Sequence, residues 1–173
     1  NVYLWGETHG NLNGEINNSL NNGEDAFLIK VDSNGDEIWT TLIGTELNEE
    51  AWDIAVANDN SVYLVGETQD SNSNLGGWTD DILVSKIDQR GNLLWSKSFG
   101  DVNKDDVAMS IEISAEGDLY VSGYTYSNLN GQLGNGSTDS FLMKLDKDGN
   151  EIWTKLYGTE NSEMSWDMGL RND

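Results

Sequence analysis

Hydrophobic residues fall in short blocks of five to eight residues, separated by segments rich in Gly, Asn, Asp and Ser. The blocks are dominated by β-branched and aromatic side chains, which are typical of β-strands, and the segments between them are typical of turns. No segment keeps a 3.6-residue apolar period for three turns, so the pattern disfavours helix. We therefore expect an all-β fold.

The blocks repeat three times in the same order, at a spacing of about 57 residues, which is a sign of a repeat architecture. The repeats run approximately over residues 1–60, 61–117 and 118–173, and each contains four blocks. Corresponding residues in the three repeats are Val2, Val62 and Leu119 in the first block; Asp25, Asp81 and Asp139 in the second; Trp39, Trp95 and Trp153 in the third; and Ala51, Ala108 and Ser165 in the fourth.

The lengths of the connections predict how the blocks pair. The second and third blocks, and the fourth block and the next repeat's first, are joined by short Gly- or Asn-containing turns suited to antiparallel hairpins. The first and second blocks are joined by long variable segments, residues 8–25, 68–81 and 125–139, which we expect to be surface loops. A four-stranded antiparallel unit at this period predicts β-propeller blades, three of them in one segment.

The residues of the repeat also resemble a known family. Each repeat approximates Val-Tyr-x-x-Gly-x-Thr, then Asp-Ala-Phe-x-x-Lys-x-Asp, then a Gly, a Trp and a closing Gly. This pattern resembles the bacterial β-propeller repeat family often called SBBP over all three repeats. The resemblance implies a propeller fold and a secreted or cell-surface bacterial protein, and it implies no particular activity. The chain departs from the family in having no Pro in the long loop and Ser140 where Ala is typical.

The order of the blocks bears on how a ring could close. If the fourth block is the innermost strand of a blade, the chain begins at a second strand and ends on an inner strand at residues 166–170. That last strand could complete the blade begun by residues 2–8. Propeller rings contain four to eight blades, so three need either further repeats or a second copy, which would give six. The chain has no initiating Met, and we expect it to be part of a longer protein or a self-associating unit.

The charge excludes some partners. With 31 acidic and 9 basic side chains the formal net charge is −22, which repels nucleic acid and anionic membrane surfaces. Divalent cations, a basic protein and neutral glycans remain candidates. No apolar stretch approaches the ~20 residues that span a bilayer, so we expect no membrane insertion. The chain has no Cys, which excludes disulfides and thiolate metal sites.

Two of the hairpin turns are candidate Ca²⁺ loops. They place oxygen-bearing side chains at alternate positions, as hard cations require. The candidate ligands are Asp32, Asn34, Asp36, Asp146, Asp148 and Asn150. The matching turn of the second repeat has Arg90 in place of a ligand, and the alternative is a turn in which the first Asp accepts backbone N–H groups. The recurrent Asp25, Asp81 and Asp139 carry the same two alternatives, a cation site or a fastening of the loop end.

Six of the seven tryptophans fall into two groups. Those of the third block recur in every repeat and are best explained by packing between repeats. Trp52 and Trp166 lie in the fourth block, and Trp78 lies in a long loop. These three are candidate ligand-binding residues, because exposed aromatic faces beside Asn, Asp and Gln suit carbohydrate.

Catalysis has little support in the sequence. His9 is the only histidine and lies in a variable loop, and no pair of acids stands out among so many. We therefore expect a non-catalytic binding or structural module with no cofactor other than Ca²⁺. The alternatives are a Ca²⁺-dependent lectin-like module and part of a propeller enzyme that degrades polysaccharides.

Overall fold

The computed structural model describes residues 1–20, 23–70, 79–101, 104–126 and 128–171. Within these ranges the chain is all-β and has no helix, and so none that could cross a membrane. The strands are β1 (Val2–Thr8), β2 (Asp25–Val31), β3 (Glu37–Ile43), β4 (Glu49–Val56), β5 (Val62–Asp70), β6 (Thr79–Ile87), β7 (Leu93–Phe99), β8 (Asp106–Ile113), β9 (Leu119–Thr125), β10 (Asp139–Leu145) and β11 (Glu151–Tyr157).

The strands form three antiparallel sheets in which chain neighbours are also sheet neighbours. Sheet 1 contains β1 to β3, sheet 2 contains β4 to β7, and sheet 3 contains β8 to β11. This confirms the predicted all-β fold of antiparallel units. The sheets are shifted in phase from the sequence repeats, because β4 closes the first repeat but pairs with β5 of the second. Sheets 2 and 3 therefore begin at residues 49 and 106.

The prediction of a strand at residues 165–170 is wrong for the chain as described. These residues lie beside sheet 3 without strand structure. Ser165 Oγ donates a hydrogen bond to the carbonyl of Gly123 at 2.7 Å, and Ser110 Oγ lies 3.1 Å from Asp167 Oδ1. The physical reason is that a strand needs a hydrogen-bonded neighbour, and the matching first block, β1, belongs to sheet 1 at the far end of the stack.

The core lies between the sheets, and sheet 2 is covered on both faces. In β5, Val62 and Leu64 face sheet 1, whereas Tyr63 and Val65 face sheet 3, and all four are at most 2% exposed. The alternation follows from the two-residue period of a strand. β8 packs on β4, β5 and β6, and β4 packs on β1 and β2. The three sheets are therefore stacked in chain order, with β4 and β8 as adjacent inner strands.

Sheets 1 and 2 each receive a hairpin turn from the following sheet. The indole N–H of Trp39 in sheet 1 donates to the carbonyl of Gln89 in sheet 2 at 3.2 Å, and Gly91 of the same turn lies against the Trp39 ring. One repeat later, Gly149 lies against the Trp95 ring, and the hydroxyl of Tyr63 donates to the carbonyl of Lys147 at 3.0 Å. Through these contacts Trp39 and Trp95 pack one sheet against the next, which is the role that their recurrence predicts.

Two glycines allow the inner strands β4 and β8 to lie close to the strands with which they pair, β5 and β9. The pairing of β4 with β5 shifts register between Ala51 and Asp53, which makes Trp52 the extra residue of a bulge. A Cβ on Gly66 would collide there with the backbone carbonyl of Glu50. A Cβ on Gly123 would likewise collide with the backbone carbonyl of Val107 at the corresponding bulge of sheet 3.

This geometry predicts a large cost for a small substitution. We expect Gly66→Ala to lower the free energy of unfolding by about 1–3 kcal/mol, because the added methyl group must displace the Glu50 backbone. Gly10→Ala is the matched control, since nothing lies within 4 Å of a Cβ added there. Urea unfolding measures both, and equal midpoints for the two variants would contradict the close approach.

Candidate functional site

Two of the recurrent aspartates at the start of the second strands, Asp25 and Asp139, fasten loop ends. Asp25 accepts hydrogen bonds from the backbone N–H of Asn18 at 2.8 Å and from the hydroxyl of Ser19 at 2.6 Å. Asp139 accepts one from the N–H of Asn135 at 2.9 Å. The closing glycines of the repeats press against these carboxyl groups, so that no side chain fits there. Of the two alternatives for these positions, the observed contacts are those of loop fastening.

A second set of recurrent acids caps the inner strands. Glu49 accepts hydrogen bonds from the N–H and the hydroxyl of Thr45 and from the hydroxyl of Thr68. In the second repeat the Thr45 position is occupied by Asp101, whose backbone N–H donates to Asp106 Oδ2 at 2.8 Å but whose side chain has no hydroxyl group. Oδ1 of the fully buried Asp106 has no hydrogen-bond partner. Burial raises the pKa of Asp106 to about 6.

The candidate Ca²⁺ turns are held together by hydrogen bonds to their first aspartate. Asp32 Oδ1 accepts from the N–H groups of Asn34 at 2.7 Å and Asp36 at 3.0 Å. Asp146 Oδ1 accepts from Asp148 and Asn150 at 2.9 and 2.8 Å, and Asp146 Oδ2 accepts from the Asn150 amide. These bonds lower the pKa of both aspartates.

The second repeat shows that this turn forms without a full set of oxygen ligands. Asp88 Oδ1 accepts from the N–H groups of Arg90 and Asn92 in the same geometry. In the third repeat, the ammonium of Lys97 lies 3.1 Å from Asn150 Oδ1. Among the described residues, no three His, Asp or Glu side chains are grouped as a metal site. The hydrogen bonds therefore account for the recurrent Asp by themselves, and Ca²⁺ binding stays a prediction.

One edge of the sheets carries a row of partly buried acids. We call this edge, where the first strands end and the long loops leave, the loop rim. Glu50 lies opposite Glu67 in the pairing of β4 with β5. Burial raises the pKa of Glu67 to about 8, and the charges of Asp80 and Glu50 add to the effect. Burial and the charge of Glu24 raise the pKa of Glu50. With a pKa of about 8, Glu67 holds a proton at neutral pH, and a protonated carboxyl group can donate a hydrogen bond.

Sequence reasoning missed the pair of Glu50 and Glu67. The two belong to different repeats, and each is one acid among 31. The sequence did contain a signal for this pair: the predicted hairpin between the fourth block of one repeat and the first block of the next places Glu50 directly across from Glu67. Carboxyl groups with strongly shifted pKa values concentrate at functional sites, although groups in purely structural ion clusters also have shifted pKa values.

Of the candidate ligand-binding tryptophans, the described Trp52 and Trp166 make no ring contact with each other. Trp52 is 43% exposed in β4, and Trp166 is 63% exposed beside sheet 3. Trp166 lies 6.2 Å from Tyr124, measured between ring centroids, and Tyr124 lies 5.9 Å from Tyr126. Trp78 lies outside the described residues. The structure thus adds Tyr124 and Tyr126 to Trp166 as an aromatic cluster on the loop rim.

The inner strands line a polar groove. A cavity of about 320 Å³ is bordered by Asp53, Ser110 and Asp167, which occupy one position of the successive repeats, and by inner-strand backbone. Asp53 Oδ2 accepts a hydrogen bond from the N–H of Ile111 at 2.9 Å, so the acid of one inner strand ties the backbone of the next. The side chains at this position of the repeats therefore help to hold adjacent sheets together.

Comparison with known proteins shows a distant likeness to a regulatory protein. The chain is 29% identical over 189 residues to the regulatory protein FlaEY of Caulobacter vibrioides. The likeness covers 95% of this chain but only 19% of FlaEY. No family model matches the chain.

The raised pKa values predict that the fold loses stability as pH rises. A carboxyl group whose folded pKa exceeds its unfolded value favours folding below the unfolded pKa, and this stability is lost as pH rises through the folded pKa. For Glu67 the window runs from 4.5 to about 8. We expect Glu67→Gln to leave stability unchanged at pH 4.5 and to raise it by about 2 kcal/mol at pH 8.5, discounted for partial exposure. Urea unfolding across this range measures the effect.

The matched control is Glu116→Gln, in the exposed turn before β9, which we expect to change neither value. If the free energy of unfolding of Glu67→Gln differed from that of wild type by the same amount at every pH, the raised pKa of Glu67 would be refuted.

The turn geometry makes a second prediction. Of the two alternatives for these turns, the hydrogen-bonded one predicts that millimolar Ca²⁺ or EDTA leaves the thermal midpoint unchanged, because N–H groups already donate to the oxygens of Asp32 and Asp146. Calorimetry of wild type and of Asp148→Asn tests this. A Ca²⁺-dependent rise that Asp148→Asn abolishes would instead establish the cation site.

Proposed function

We propose that the three sheets are consecutive blades of a β-propeller. The four-stranded meanders of sheets 2 and 3, with β4 and β8 adjacent, support this arrangement. Residues 163–170 occupy the place beside β8 that β8 occupies beside β4. The turn-to-tryptophan contact between sheets 1 and 2 recurs between sheets 2 and 3, as radial repetition requires.

On this scaffold the chain is a non-catalytic binding or structural module that presents its loop rim to a partner. The observation that carries the proposal is that polar and aromatic residues shared by all repeats make structural contacts, whereas an aromatic cluster found in one repeat is exposed. Those that recur in every repeat are used in fastening loops, shaping turns and joining sheets. The aromatic cluster of Trp166, Tyr124 and Tyr126 is not present in every repeat, and it lies on the loop rim. Because the net charge is −22, a neutral or basic partner suits the surface.

A secreted or cell-surface bacterial setting follows from the resemblance of the repeat to the SBBP family. The likeness to FlaEY is to a protein described as regulatory, and a binding module is compatible with that description. The chain spans 19% of FlaEY, so the activity of the whole protein is not transferred to this segment.

Carbohydrate is the second candidate, as the ligand of the same rim. Trp166 offers an exposed ring beside Tyr124 and Tyr126, and the hydrogen-bonded carboxyl pair of Glu50 and Glu67 provides polar groups in the same region. A neutral sugar needs an apolar face together with such directional hydrogen bonds. A Ca²⁺-dependent lectin would additionally need the turn sites to bind the cation, and an enzyme that degrades polysaccharides would need a working pair of acids.

The test is a glycan array followed by tryptophan fluorescence titration with the oligosaccharides retained. We expect Trp166→Ala to weaken binding about tenfold or more, because the stacking face is lost, and Trp166→Phe to retain most of it. EDTA separates Ca²⁺-dependent from independent binding. We also expect no new reducing ends from the retained glycans.

Either of two results would count against the proposal. If Trp166→Ala bound as tightly as wild type, the aromatic cluster would not be the site. If reducing ends appeared and Glu67→Gln abolished them, the chain would be part of an enzyme rather than a non-catalytic module.

A further inference from the structure

We propose that the start of β8 is a pH-sensitive junction, which Asp106 fastens in its protonated form and loosens when it ionises. Asp106 is the first residue of β8, at the boundary between sheets 2 and 3. The evidence is a comparison within the molecule. An acid follows the closing glycine at the same place in each of the three repeats, and the acid of the second repeat lacks a donor that the other two have.

The first and third repeats show how this acid is held when its donors are complete. Glu49 accepts hydrogen bonds from the backbone N–H of Thr45 at 2.8 Å, from the Thr45 hydroxyl at 2.7 Å and from the hydroxyl of Thr68 at 2.8 Å. Glu163 accepts from the N–H and the hydroxyl of Thr159, both at 2.7 Å. In both repeats each of the two carboxylate oxygens therefore has a donor.

The second repeat keeps one of these contacts and loses another. Asp106 Oδ2 accepts from the N–H of Asp101 at 2.8 Å, as Glu49 accepts from the N–H of Thr45. The threonine hydroxyl is absent, because the side chain of Asp101 ends in a carboxyl group. Asp106 is 0% exposed, and within the described chain its Oδ1 has no hydrogen-bond partner. A buried oxygen without a donor costs more when its group is charged, so this site favours the neutral carboxyl group.

The neighbours of Asp106 along the chain oppose its ionisation. Burial, together with the charges of Asp101 and Asp105, raises the pKa of Asp106 to about 6, although hydrogen bonds from the Thr125 side chain and the Asp101 backbone act in the opposite direction. Lys104 precedes Asp106 by two residues, but the structure records no ion pair between these two described residues.

The strands packed around Asp106 also present acids. In β9, Thr125 lies opposite Asp106 on one side and opposite Asp139 of β10 on the other. From sheet 2, Asp81 of β6 lies beyond Gly100, since a Cβ on Gly100 would collide with Asp81 and lie 3.1 Å from Asp106 Oδ2. A negative charge on Asp106 is therefore added to a region that is already acidic.

The start of β8 is connected to the loop rim through Asp105. The carbonyl of Asp105 accepts a hydrogen bond from the N–H of Tyr126 at 3.0 Å, and its Oδ1 accepts one from the N–H of Asp80 at 3.3 Å. Because Asp105 is the residue before Asp106, loosening the start of β8 weakens the support of Tyr126 in the aromatic cluster. This consequence for ligand binding rests on the proposed function, whereas the pH response of β8 does not.

The direction of the pH response follows from the raised pKa. A carboxyl group whose folded pKa exceeds its unfolded value stabilises the fold below the unfolded pKa, and this contribution is lost as pH rises through the folded pKa. For Asp106 the window runs from 3.8 to about 6. We expect the equilibrium constant for local opening of the start of β8 to rise about fiftyfold between pH 4 and pH 7 and to change little above pH 7.

Hydrogen exchange of the whole chain, followed by mass spectrometry and corrected for the intrinsic effect of pH on exchange, measures this opening. We expect peptides from residues 105–113 and 119–126 to lose protection over that pH range. Asp106→Asn should remove most of the loss, because an amide is neutral throughout. The matched control is Asp36→Asn, which makes the same change in an exposed turn and should retain the wild-type response. Glu67 is unchanged in these variants, so their difference from wild type reports Asp106.

A second variant tests the junction even if Asp106→Asn does not fold. Asp101→Thr combined with Asp106→Glu reproduces the pair of Thr45 and Glu49, and we expect it to reduce the pH-dependent loss of protection at least tenfold. A wild-type chain with no such loss, or a loss that persists in the folded variants, would overturn the proposal. A chain that shows the response but binds no partner at its loop rim would support the junction and count against the proposed function alone.

Discussion

The structure depends on one contact, the docking of a hairpin turn onto the tryptophan of the preceding sheet. At the first junction the carbonyl of Gln89 accepts hydrogen bonds from the indole of Trp39 and the ammonium of Lys30. That ammonium lies 5.3 Å from the Tyr3 ring centroid and 5.8 Å from that of Trp39, so both rings attract it. Each such contact contributes about 0.5–1.5 kcal/mol, yet together they fix the position of one sheet on the next.

This contact explains why the turns have their composition. A turn that packs against an aromatic ring needs a glycine at the point of closest approach, and Gly91 and Gly149 have φ values of +90° and +73° there. It also needs a fixed shape, which the first aspartate provides by accepting backbone N–H groups. The residues that suggested a Ca²⁺ loop are therefore also the residues that a docking turn requires, and sequence alone does not separate the two uses.

The sequence predicted the local structure well and the contacts between repeats poorly. Strand positions followed from the blocks around Val62 and Asp81, because β-branched runs and glycine turns are local signals. The opposition of Glu50 and Glu67 was missed, because it depends on pairing across a repeat boundary. The strand predicted at residues 165–170 failed for a related reason, since its local sequence suits a strand but the described chain offers it no neighbour.

Burial on two faces distinguishes sheet 2 from the others. In a stack of repeats, stability is close to a sum of the units and the interfaces between neighbours, so a sheet with two interfaces is held more firmly than one at an end. Sheet 1 has one covered face and only three strands, and is the weakest of the three on this argument. On the loop rim, Glu50 and Glu67 both lie on sheet 2, the sheet that is covered on both faces. The burial of these carboxyl groups costs stability at neutral pH, and the sheet with two interfaces is the one best able to offset that cost.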